Sequence, residues 1–248
     1  IHSHDANMRN KKIIFESKNQ LKTNYNYTVI DHSKINYFQL IIEDEFGVET
    51  KSDYVSGVPT DLQVLLDIVI ENNLNIIPSE LGTQVWSNGR LKELSIGDWS
   101  DGGGVQIHTL PESIGGLSSL KNLWLSYNKL SVIPESFSNL SSLEILELRS
   151  NNYKNIPETL IDLRNLKYLG LSYNNISEFP DWVSEFKSLN KLYLSHNNFN
   201  EIHESICEMN LNYKEMGNSF LSQNGLCTMF LLPDCIKPHI GDQSCSFE

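Results

Sequence analysis

At 248 residues, with 40% hydrophobic and 20% charged side chains, the chain is long enough for one or two domains with a sizeable core. Its net charge of -12 and pI near 5.0 argue against a nucleic-acid partner, because binding a phosphate backbone needs a Lys/Arg footprint. No apolar run is long enough to cross a bilayer. The chain begins at Ile1 rather than Met and carries no signal-peptide pattern, as a processed or incomplete product would.

Residues 1–58 are rich in aromatic and β-branched side chains. Lys12 to Glu16 (KIIFE), Tyr25 to Ile30 (YNYTVI) and Ile35 to Ile42 (INYFQLII) read as strands, Glu43 to Gly47 (EDEFG) as a hairpin signal, and Val48 to Val55 as a last strand. The run YFQLIIEDEFGVETKSDYVSG resembles the closing two strands of a fibronectin type III domain. A sandwich of that kind takes about 100 residues and about seven strands, more than this segment supplies. Either its first strands are missing, or a neighbouring chain completes the open sheet edge by adding a strand.

From Val58 the composition changes. Thr60 or Asp61 can cap a helix running to Asn72, with Leu62, Leu65, Leu66, Val69 and Ile70 at helical spacing. Leu74, Asn75, Ile76, Ile77 and Pro78 then spell half of a phrase that recurs downstream. Its first strand part starts at Leu91 (LKELSIGDW), with Trp99 at the ninth place. A loop follows in which Asp98 and Asp101 lie beside Gly102, Gly103 and Gly104. Two carboxylates are too few for a calcium cage of six or more oxygens, so the loop reads as an insertion of the kind that contacts partners.

The phrase is then spoken at an interval of 23 residues: LKNLWLSYN from Leu120, LEILELRSN from Leu143, LKYLGLSYN from Leu166 and LNKLYLSHN from Leu189. Pro111, Pro134, Pro157 and Pro180 keep the same interval. Alternate leucines face one side of a short strand, and no single coil can bury that side alone. The ninth-place Asn128, Asn151, Asn174 and Asn197, with Asn224 further on, can turn inward and satisfy backbone groups that the bend would orphan. The pattern resembles the leucine-rich repeat. That resemblance implies an α/β solenoid, a horseshoe of about six coils with a parallel sheet on its concave face. The passages VLLDIVIENN and LGTQVWSNGRLKEL resemble the helical N-terminal cap of secreted bacterial proteins of this family, and SIC, NGLC, PDCI and IGDQSC resemble their disulfide-linked C-terminal cap. The expected division is 1–58 β-rich segment, 59–90 helical cap, 91–202 repeats and 203–248 degenerate repeat with C-terminal cap.

After His203, where Pro is expected, the repeat decays into IHESICEMNLNY and recovers as FLSQNGLC, while Met229 to Leu232 replace a shorter link. Cys207, Cys227, Cys235 and Cys245 are spaced by 20, 8 and 10, which fits no zinc signature; an even count at one end fits disulfides and a place outside the cytosol. Three pairings are possible. Cys207 with Cys235 and Cys227 with Cys245 is the one that puts the first two on corresponding convex segments of adjacent coils.

The strand positions between the leucines face the hollow or its rim, and there Trp124, Tyr127, Tyr168, Tyr173 and Tyr193 share a surface with Glu147 and Arg149. Aromatic groups with a few charges on a rigid sheet make binding hot spots, although the same residues also simply suit a β surface. Catalysis lacks a basis: Ser195 and His196 are neighbours whose side chains diverge, and no phosphate loop, metal cluster or paired carboxylates occur. No cofactor or metal is expected. Asn26, Asn139 and Asn175 head glycosylation sequons, which also arise by chance in an Asn-rich chain. The expectation is a non-enzymatic extracellular adhesion module that holds a protein, peptide or glycan on its concave face. The alternative is a filament subunit that self-associates through the N-terminal segment.

Overall fold

The computed structural model describes residues 11–16, 22–30, 35–43, 49–51, 55–56, 61–76, 78–97, 105–217, 220–227 and 232–243. The chain falls into two compact units, Ile1–Leu81 and Gly82–Glu248, a division that lies inside the stretch read from the sequence as one helical cap. Thr60, the hairpin tip 44–48, the glycine loop 98–104, residues 228–231 and Cys245 lie outside the described residues.

In the first unit, β1 (Lys11–Glu16), β2 (Lys22–Ile30) and β3 (Ile35–Glu43) form an antiparallel meander. Two short strands, β4 (Glu49–Lys51) and β5 (Val55–Ser56), pair with Ile41–Glu43 and Tyr37–Phe38 respectively. Because β2 pairs with β3 throughout, β4 and β5 occupy successive stretches of its other edge.

Helix α1 (Asp61–Glu71) buries Val64, Leu65, Leu66, Ile68 and Val69. It ends because Asn73 takes a left-handed φ of 52°, letting the Leu74 N–H reach back to the Val69 carbonyl (2.9 Å) and the Asn73 N–H to that of Ile70 (3.0 Å). Asn tolerates that conformation better than most residues, so this is a Schellman stop without glycine.

The second unit opens with a hairpin whose first strand and turn fall within the stretch 59–90 that the sequence assigns to a helical cap. Strands β6 (Thr83–Ser87) and β7 (Arg90–Ser95) are antiparallel, joined by Asn88 and Gly89 at φ 51° and 70°, the two-residue turn that Asn-Gly favours. Strands β8 (Asn122–Trp124), β9 (Ile145–Glu147), β10 (Tyr168–Gly170) and β11 (Lys191–Tyr193) then stack in parallel on β7 in the order β11-β10-β9-β8-β7-β6. Their registers put Trp124 beside Glu147, Glu147 beside Gly170 and Gly170 beside Tyr193.

The return legs are equally regular. Pro111, Pro134, Pro157 and Pro180 each precede one 3-10 helix, Glu112–Gly116, Glu135–Asn139, Glu158–Asp162 and Asp181–Glu185, which buries Ile114, Phe137, Leu160 and Val183 in turn. The leucines of the strand parts are at most 1% exposed, so each rung gains about 1.5–3 kcal/mol per buried side chain only when its neighbours are in place.

A ladder of side-chain amides runs down one edge of this stack. Asn174 donates to Leu148 O (3.0 Å) and Leu171 O (3.0 Å) and accepts from Tyr153 N–H (3.0 Å). Asn151 donates to Leu125 O and Leu148 O, Asn197 to Leu171 O and Leu194 O, and Asn224 to Leu194 O and Leu221 O. Each carbonyl between two rungs therefore receives two amides. Asn128 completes the upper end by donating to Ile96 O and Leu125 O.

Two features of the C-terminal part depart from the sequence reading. The segment after His203, read as decay, keeps the return leg: Glu204–Glu208 is a 3-10 helix whose N-cap His203 accepts from Ser205 N–H through Nδ1 in place of proline. What is lost is the next strand, replaced by α2 (Tyr213–Met216), whose Met216 sulfur lies 3.1 Å from Leu192 N where a strand carbonyl is absent. The second departure is that the ladder does not stop at Asn224. Gln243 donates to Leu221 O (3.1 Å) and Ile240 O (2.7 Å) and accepts from Leu226 N–H (3.3 Å), so it takes the place of a further asparagine. Cys207 is joined to Cys235, and Cys227 is also disulfide-bonded.

Candidate binding face

On the short strands the leucines point into the core, which turns the third and fifth places of each phrase onto the opposite face. The eighth place has a feature that sequence alone did not reveal. Tyr127, Ser150, Tyr173, His196 and Gln223 all have φ between 54° and 59°. The chain turns left-handed at each of these five positions, although an L-residue in that region costs roughly 1–2 kcal/mol.

This turn brings the rims of successive rungs together as a stack. The Arg149 guanidinium carbon lies 4.4 Å from the Tyr173 ring centroid and 6.0 Å from that of Tyr127. On the far side of Tyr173 lies His196, its ring 3.9 Å away and inclined by 15°. Stacking on aromatic faces suits the flat guanidinium. The Arg149 Nε is buried and has no hydrogen-bond partner.

Beside the stack lies a second cluster. Tyr168 donates its hydroxyl proton to Glu147 Oε2 (2.6 Å), and the Arg149 backbone N–H donates to Glu147 Oε1 (3.0 Å). The carboxylate rests over Gly170, where an added Cβ would come within 2.1 Å of Oε1, so only glycine fits under it. Burial pushes the Glu147 carboxyl above the usual carboxylate range, against the opposing pull of Tyr168 and Arg149. Burial and the neighbouring carboxylate raise the Tyr168 hydroxyl in turn. The Tyr168 and Tyr193 rings are 5.3 Å apart.

Of the seven residues read as binding candidates, the structure thus links Tyr127, Arg149 and Tyr173 in one cluster and Glu147, Tyr168 and Tyr193 in the other. The Trp124 side chain is partly exposed in the row beside Glu147 and makes no hydrogen bond or ring contact with a described residue. Ser195 donates to the Ser172 hydroxyl (2.9 Å) while His196 stacks on Tyr173, so the two neighbours serve different contacts. Among the described residues, no three His, Cys, Asp or Glu side chains converge on a metal-sized space, and no helix is long and apolar enough to cross a membrane. Asn139 and Asn175 are exposed, and Asn26 lies in β2. A depression of about 610 Å³ on the flank, lined by Val132, Ile133, Lys154, Asn155, Pro157 and Thr159 among others, was not signalled by any motif.

The strand rungs, amide ladder and return legs agree with a family model described as leucine rich repeat, which matches residues 107–153 and 154–199. Residues 107–199 are leucine-rich repeats. Such repeats commonly mediate protein interaction. Among solved structures, a leucine-rich repeat protein of Leptospira interrogans is 25% identical over 54% of this chain and 38% of its own, with a TM-score of 0.41. The leucine-rich repeat ectodomain of the receptor kinase SOBIR1 of Arabidopsis thaliana is 27% identical over 61% of this chain and 88% of its own, at 0.48. InlP of Listeria monocytogenes is 25% identical over 48% and 32%, at 0.40. The chain therefore spans well under half the length of the two bacterial proteins. No curated protein matches it.

Proposed function

We propose that the chain is a non-enzymatic extracellular interaction or adhesion module that holds a partner on the concave face of its repeats. The observation that carries this reading is the double cluster around Glu147 and Arg149, where aromatic rings and polar groups are fixed on a rigid sheet and partly open to solvent. Trp124, Tyr127, Glu147, Arg149, Tyr168, Tyr173 and Tyr193 form the contact surface, and a protein or peptide is its partner, with a glycan as the other ligand class. The disulfide between Cys207 and Cys235 supports a secreted or cell-surface location and a disulfide-linked end to the repeats.

The test is to pan a displayed random-peptide library on the immobilised chain and to compare the enriched binders on a variant carrying Trp124→Ala and Tyr193→Ala. Binding should be lost. Enriched peptides that hold both proteins equally well would dismiss this face.

A second reading, a filament subunit, draws on β1, which has one strand partner among the described strands and so presents an edge to a neighbour. Light scattering that reports a monomer at every concentration would remove it.

A further inference from the structure

Glu147 ends β9 and Arg149 follows two residues later, a spacing at which the two charges would by default form an ion pair with each other. They do not. The carboxylate is folded down over Gly170, capped by the Tyr168 hydroxyl and tied to the Arg149 backbone N–H. The guanidinium is left between two tyrosine rings, makes no hydrogen bond or ion pair with a described residue, and keeps its buried Nε unsatisfied. A charged fork held by ring stacking, with its natural counterion pulled away by a glycine and a tyrosine, is ready for an anion from outside.

The neighbouring polar groups point to the same conclusion. The indole N–H of Trp124 and the hydroxyls of Tyr173 and Tyr193 have no hydrogen-bond partner among the described residues, while the one carboxylate of the cluster is already occupied by two donors. Unpaired donors therefore surround the guanidinium, and a group carrying acceptor oxygens can engage them together. We infer that Arg149 is the anchor for a single carboxylate side chain, Asp or Glu, of a protein partner's peptide segment that carries no second acidic side chain. This rests on the concave face being the binding surface. One carboxylate is specified because the net charge of -12 repels a multiply acidic segment at long range.

The test uses the full chain, labelled with ¹⁵N, and follows the Arg149 Nε–H resonance by NMR. The probes are the capped peptide acetyl-Gly-Glu-Gly-amide, its Gln counterpart, acetyl-Gly-Gln-Gly with a free C-terminus, and a glucuronate disaccharide. The Glu peptide should shift the resonance saturably and the capped Gln peptide should not. Arg149→Lys, which keeps the charge and loses the fork, should weaken the Glu peptide by about tenfold or more, read at the Tyr173 ring, with the amide spectrum unchanged elsewhere. Equal shifts by the two capped peptides, or an undiminished affinity in Arg149→Lys, would overturn the inference. So would a response to the free C-terminus or the disaccharide without one to the Glu side chain. If library peptides still need Trp124 and Tyr193 while Arg149 ignores the Glu probe, this inference falls and the concave-face reading stands.

Discussion

Asn174→Ala gives the sharpest measure of what the amide ladder contributes. The residue is 7% exposed and its side chain satisfies three backbone groups at 3.0 Å, besides a longer contact to Ser172 O (3.4 Å). Two of them keep a partner when it is removed, since Leu148 O still receives the Asn151 amide and Leu171 O that of Asn197. The Tyr153 N–H does not, and an orphaned buried donor costs about 1–3 kcal/mol. With two weakened carbonyls and a small void, the loss should come to roughly 2–4 kcal/mol. Asn174→Asp should be worse at neutral pH despite its matching shape, because it sets an oxygen and a charge against two carbonyls. Protonation returns one donor, so the Asp variant should recover towards the Ala variant as pH falls. Urea denaturation followed by circular dichroism at pH 7 and pH 4 measures both. A loss under about 0.5 kcal/mol for the Ala variant would refute the ladder's role. So would an Asp variant as stable as the parent at neutral pH.

Gly170→Ala should cost about 1–3 kcal/mol, because its Cβ would displace the Glu147 carboxylate. Combining it with Glu147→Ala should recover most of that loss in a double-mutant cycle, and simple additivity would show that the carboxylate does not press on residue 170. Glu147→Gln tests the buried charge through pH. The folded state raises the Glu147 pKa, so it binds the proton more tightly than the unfolded chain does. The stability this contributes is present at low pH and is lost as pH rises through the folded value. Glu112, Glu144, Glu215 and Asp234 are shifted the other way, so the informative quantity is the difference between variant and parent. That difference should move in favour of the Gln variant from pH 4 to pH 8 in parallel urea titrations, and a flat difference would contradict the assigned cause.

The spacing of leucine, asparagine and proline alone determines that residues 120–197 stack as parallel rungs, because an apolar side repeated every 23 residues has no other place to hide from water. It also singles out Asn224 across a longer connection, since the trio of apolar residue, two-residue gap and amide survives there. Gln243 escaped the same reading although Ile240 stands three residues before it as Leu221 does before Asn224, because its amide is a glutamine's, and only the carbonyls of Leu221 and Ile240 make it do an asparagine's work. The sequence likewise assigns Glu147 and Arg149 to one surface but says nothing about whether they pair. That was decided across rungs, by Tyr168 offering a proton, Gly170 offering space and Tyr127 and Tyr173 closing on the guanidinium, contacts between residues more than 20 positions apart that no local pattern encodes.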